Sequence, residues 1–79
     1  MTILELAQAR AALPRPEQCR AIRRGAGLSL GDLAEALSTN PITVSRWERG
    51  ARRPSKRFIV AYVGLLADLS RMSGSGLSS

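Results

Sequence analysis

The stretch from Leu28 to Gly50 leaves this chain few ways to fold. Ser29 suits a helix N-cap, and Asp32, three residues on, completes a capping box. Leu30, Leu33, Ala34 and Leu37 then recur at the spacing of one helical face. This helix is short and ends near Ala36 or Leu37, before a tight turn at Ser38-Thr39. Asn40 caps a second helix, and Pro41 takes its first position, where a missing N–H costs nothing. Val44 and Trp47 face inward, and Gly50 ends the helix in the left-handed conformation. Ala34 is small where two such helices cross closely, and Leu33, Leu37, Val44 and Trp47 fill the space between them.

Three further helices and no strand are read from the rest, giving an all-α, compact five-helix domain. Thr2 and Glu5 form a capping box for a first helix over residues 1–13, with a thin stripe of Ile3, Leu6 and Leu13. Pro14-Arg15-Pro16 interrupts it. Pro16 opens a second helix that Gly27 ends. Its inward face is Cys19, Ile22 and Ala26, with Arg20, Arg23 and Arg24 largely off that face. Cys19 reads as a small core residue. After a basic loop, Ser55 caps a last helix to about Arg71. Its broad stripe of Phe58, Ile59, Tyr62, Val63, Leu65, Leu66 and Leu69 closes the core, with an outer edge that could meet a second subunit. The domain proper spans 16–71, and the Gly/Ser-rich tail, 72–79, is expected to be disordered.

Composition narrows the chemistry. There is one cysteine and no histidine among 79 residues, so the usual zinc sites and the commonest general base are missing. No glycine-rich phosphate loop or carboxylate cluster is present, so no enzyme and no cofactor is expected. No apolar run approaches a membrane span, and the lone thiol fits a reducing cytoplasm. The net charge of +6 is unevenly spread. Arg46, Arg49, Arg52, Arg53, Lys56 and Arg57 face a single acid, Glu48, between Asn40 and Arg57. A solvated basic face would look similar, but this charge sits beside a helix with a polar outer side, which points to nucleic acid.

With these residues in place, the chain resembles the lambda-repressor-like (Cro/phage-repressor, XRE-type) helix-turn-helix proteins. Gly27-Leu28-Ser29, Leu33-Ala34, Leu37, the run Val44 to Gly50, and Arg53-Pro54-Ser55 carry the likeness, which covers roughly Glu17 to Leu69. The resemblance implies a DNA-binding transcriptional regulator whose second motif helix, residues 40–49, enters the major groove. The matching base-reading residues are Asn40, Pro41, Ile42, Thr43, Ser45 and Arg46. A guanidinium at Arg46 can grip guanine, or instead hold a phosphate; Ile42 and Thr43 can meet a thymine methyl, or simply fit sterically. Pro41 shapes the helix start. Ser29, Arg49, Arg52, Arg53, Lys56 and Arg57 match phosphate contacts. Leu30 stands where most members carry Gln. Arg23 and Glu48 match a partly buried ion pair; otherwise they are two solvated charges. Trp47, at helical spacing from Val44, reads as core and not as a base-stacking residue.

The expected partner is double-stranded DNA bearing an inverted-repeat operator, bound by a homodimer that could form through residues 55–71, in the cytoplasm on the nucleoid. Small size and Arg/Ala-rich style resemble phage or mobile-element regulators. The alternative is a protein-binding role, as an antitoxin or excision-type accessory factor acting with a partner protein.

Overall fold

The computed structural model describes residues 1–77, with side chains through Met72. Five helices follow in order: α1 (Ile3–Ala12), α2 (Pro16–Gly25), α3 (Leu30–Ala36), α4 (Pro41–Glu48) and α5 (Lys56–Leu77). No strand occurs among the described residues. No helix there is long and apolar enough to cross a membrane. The bounds of α5 extend past the end near Arg71 read from the sequence, because Gly and Ser lower helix propensity without forbidding the helix. The expected disorder of the tail falls mainly on residues outside the described side chains.

Local chemistry sets the helix ends. Thr2 and Glu5 cap α1 reciprocally at 3.1 and 3.2 Å, and Ser29 and Asp32 cap α3 at 3.0 and 2.8 Å. Asn40 Oδ1 accepts the Thr43 N–H of α4 at 2.9 Å. Ser55 stands at the start of α5, but only its carbonyl serves the first turn there, accepting from the N–H groups of Phe58 and Ile59. This corrects the reading of its hydroxyl as the cap.

Three helices stop in one way. After α2, α3 and α4, the next residue but one enters the left-handed region: Gly27 at φ 75°, Ser38 at 57° and Gly50 at 74°. In each case two backbone N–H groups turn back onto the last-turn carbonyls. At α3 these are Ser38 N–H to Glu35 at 3.2 Å and Thr39 N–H to Ala34 at 2.8 Å. Glycine bears this conformation freely, whereas Ser38 carries strain.

Packing then joins the pieces. Helices of seven and eight residues are too short to persist alone, so α3 and α4 depend on each other. α2 packs on both α4 and α5, and α1 lies on α5. The core gathers Cys19, Leu33, Ala34, Leu37, Val44, Trp47, Tyr62, Leu66 and Leu69. Burying Leu33 or Leu66 contributes about 1.5–3 kcal/mol each by area. Trp47 is its aromatic centre, with ring centroids 4.8 Å from Tyr62 and 5.6 Å from Phe58, both tilted. Leu30 is half-buried against this core.

Two sequence expectations are corrected by burial. Ile3 lies exposed rather than on the inward stripe of α1, whose buried residue is Ala9, with Leu6 and Leu13 half-buried. The stripe was too thin to fix its own direction. Arg23 is buried although periodicity turns it off the inward face of α2. A partner on α4 accounts for that.

Candidate nucleic-acid interface

α4 is held from behind by charge. The Arg23 guanidinium donates to both carboxylate oxygens of Glu48, Nε to Oε2 at 2.7 Å and Nη2 to Oε1 at 3.0 Å. Its remaining Nη1 donates to the Leu28 carbonyl at 2.9 Å. One side chain thus ties the end of α2, the residue before the α3 cap, and the last turn of α4. Glu48 raises the Arg23 pKa above its ordinary value, chiefly through these hydrogen bonds. Arg20 stands 3.8 Å from the same carboxylate. The single acid of the basic segment is therefore consumed in the interior.

The opposite side of α4 faces outward. Successive helical steps of about 100° set Ile42, Ser45, Arg46 and Arg49 away from the inward Val44, Trp47 and Glu48. Ile42 is 62 % exposed, Arg46 and Arg49 are exposed, and Ser45 is half-buried. Thr43 sits at the edge, half-buried, and its hydroxyl donates to Asn40 Oδ1 at 3.2 Å. Asn40 and Thr43 thus brace the helix start with atoms that could otherwise reach a ligand. Asn40 and Pro41 are exposed beside them.

The chain after α4 returns to the same face. Ala51 and Arg52 both donate backbone N–H groups to the Arg46 carbonyl, at 3.0 and 3.3 Å. This fold-back brings Thr43, Arg46, Arg52, Arg53 and Ser55 around a shallow cleft of about 160 Å³ floored by Trp47 and Phe58. Lys56 and Arg57 are exposed in the first turn of α5, with the Arg57 guanidinium 5.4 Å from the Phe58 ring centroid. Arg46, Arg49, Arg52, Arg53, Lys56 and Arg57 form no ion pair among the described residues. Their charge is free to meet phosphate.

Ser29 is not part of this cleft. It caps α3, where Asp32 places a carboxylate at the same helix end. The Ser29 backbone N–H, then its hydroxyl, hold the Asp32 carboxyl below its usual range, so this end carries a negative charge. The sequence reading missed Ser55 as part of the basic face, having assigned its hydroxyl to capping. A serine opening a helix beside a basic run was the available signal.

A family model described as a helix-turn-helix domain matches residues 4–72. The match takes in α1 as well as the two motif helices. No curated protein and no solved structure matches the chain. A helix-turn-helix domain suggests a DNA-binding regulator. On this match, and with five helices packed around the α3–α4 pair, the chain belongs to the helix-turn-helix domain family, in keeping with its lambda-repressor-like members.

Proposed function

We propose that this protein is a sequence-specific double-stranded DNA-binding transcriptional regulator of the Cro/repressor kind, with α4 as the recognition helix in the major groove. The observation that carries this reading is Arg46, exposed and in no ion pair among the described residues, on the outer face of α4, with Arg52, Arg53 and Ser55 folded beside it. Arg46 reads guanine, and Ile42 and Thr43 offer methyl groups to thymine. Asn40, Pro41 and Ser45 shape and flank that contact. Arg49, Arg52, Arg53, Lys56 and Arg57 hold phosphates, and Ser29 caps the α3 N-terminus, whose free N–H groups abut one more. Arg23 and Glu48 position the helix.

One recognition helix reads too few base pairs for a genomic address, so the protein acts as a homodimer on an inverted repeat. Most of the apolar stripe of α5 is spent within the subunit: Ile59, Tyr62, Leu66 and Leu69 are buried. The apolar side chains left for a second subunit include Met72 of α5 and Ile3 and Leu4 of α1. It works in the cytoplasm, on the nucleoid, in a phage or mobile-element setting. The exposed Ile3 and Leu4 also favour a second reading, an accessory factor that docks a partner protein through α1.

The test is selection from a random DNA pool, run with the native chain and with Arg46→Ala. The expected result is a palindromic motif whose preference at one G·C pair per half-site disappears in the variant, a loss of about 1–3 kcal/mol of discrimination. A pool that never enriches a motif would sink the regulator reading in favour of the partner-dependent one.

A further inference from the structure

A larger cleft, about 400 Å³, shares Trp47, Arg52 and Arg53 with the basic face but opens between the end of α1, the α1–α2 linker and the loop that joins α4 to α5. Cys19, Trp47 and Tyr62 line it, none more than 5 % exposed. Leu13, Pro14 and Pro54 add apolar walls. Arg10, Arg15, Arg52 and Arg53 line it as well, and no acidic residue does. Arg15 is engaged by Glu17 at 3.1 Å, whereas Arg10, Arg52 and Arg53 form no ion pair among the described residues.

One polar group here is unsatisfied. The Tyr62 hydroxyl is buried and has no hydrogen-bond partner among the described residues. A buried hydroxyl of this kind is costly unless something accepts its proton. The Cys19 sulfur lies close enough to interact with the Tyr62 hydroxyl, but it is a weak acceptor outside hydrogen-bond geometry, and its own proton is directed to the Pro14 carbonyl at 3.6 Å.

We propose that this cleft binds a small organic anion with an apolar, preferably aromatic, body. Its ring lies against Trp47 and the prolines, its charge faces Arg10, Arg52 and Arg53, and an acceptor atom takes the Tyr62 proton. The cleft volume lies within the range of small-molecule sites, which pair apolar walls with a few placed polar groups. Because Arg52 and Arg53 serve both clefts, the ligand draws them from DNA phosphate, so anion and DNA oppose each other. That opposition, unlike the binding itself, rests on the DNA-binding reading above.

The chain's sole tryptophan, Trp47, lines the site and reports on it. The full chain is titrated at constant ionic strength with phenylacetate, with benzyl alcohol as the neutral analogue, and with inorganic phosphate as the charge alone. Phenylacetate is expected to shift the Trp47 fluorescence saturably, at about millimolar Kd, and to bind at least about tenfold more tightly than either control. Arg10→Gln, outside the DNA-facing cleft, weakens phenylacetate about tenfold, and Tyr62→Phe weakens it several-fold, each with an unchanged melting curve. Where Tyr62→Phe alters the melt, Arg10→Gln decides. No saturable shift with phenylacetate, equal binding of benzyl alcohol, or full affinity in Arg10→Gln overturns the site. Saturating phenylacetate is then expected to weaken DNA binding by the native chain but not by Arg10→Gln. A chain that binds phenylacetate and no DNA supports the cleft while rejecting the regulator reading. DNA affinity unmoved by phenylacetate rejects the shared use of Arg52 and Arg53.

Discussion

Arg23 of α2 and Glu48 of α4 meet fork to fork in the interior, their side chains only 9 % and 1 % exposed. The two residues are far apart in sequence, and the bond between them fixes α4 against the helix behind it. A pair this buried gains little over apolar substitutes, yet losing one member strands a charge.

Arg23→Met alone is therefore expected to cost about 3–5 kcal/mol in urea unfolding. Arg23→Met combined with Glu48→Leu should recover most of that loss. Equal destabilisation in the double variant would mean that the pair itself, and not the stranded carboxylate, is what the fold requires.

Ser38 occupies the left-handed position between α3 and α4 at φ 57°. Ser38→Gly removes side-chain strain but loosens the unfolded chain, so a net gain of about 0.5–1 kcal/mol is expected. Ser38→Val should lose about 1 kcal/mol or more at the same site. Melting temperatures of the two variants on either side of the native value would check this.

Two capping boxes tie stability to pH. The Glu5 and Asp32 carboxyls are held below their ordinary values of 4.5 and 3.8, each mainly by the backbone N–H of its capping partner. A depressed folded pKa adds stability that is present above the unfolded value and is lost as pH falls through the folded one. Asp32→Asn is expected to flatten the fall in melting temperature as the pH drops below about 5. An unchanged acid limb would remove Asp32 as a contributor.

Arg49, Arg52, Arg53, Lys56 and Arg57 supply the proposed phosphate contacts. If all five engage, log K against log salt should fall with a slope of about −4 to −5 per subunit. Arg53→Gln should make that slope shallower by about 1 while leaving the selected motif intact. A slope near zero would remove the role of these residues.

The residues determined by themselves where most helices begin and stop. Capping boxes, Pro41 and the glycines after α2 and α4 act within a few positions, so their effects can be read locally. The concentration of charge beyond Asn40 and the α3–α4 pairing were legible for the same reason, and so was Trp47 as core. What spans the chain was not. The burial of Arg23 depends on Glu48, which helical periodicity cannot see; only the family resemblance pointed to that pair. The exposure of Ile3 depends on how α1 settles on α5, which a weak stripe leaves open. Ser55 joined the basic face only because the loop folds back onto the Arg46 carbonyl. The cleft beneath Arg10 and Tyr62 gathers residues from four helices and the segments between them, so only the assembled tertiary structure could define its shape and charge.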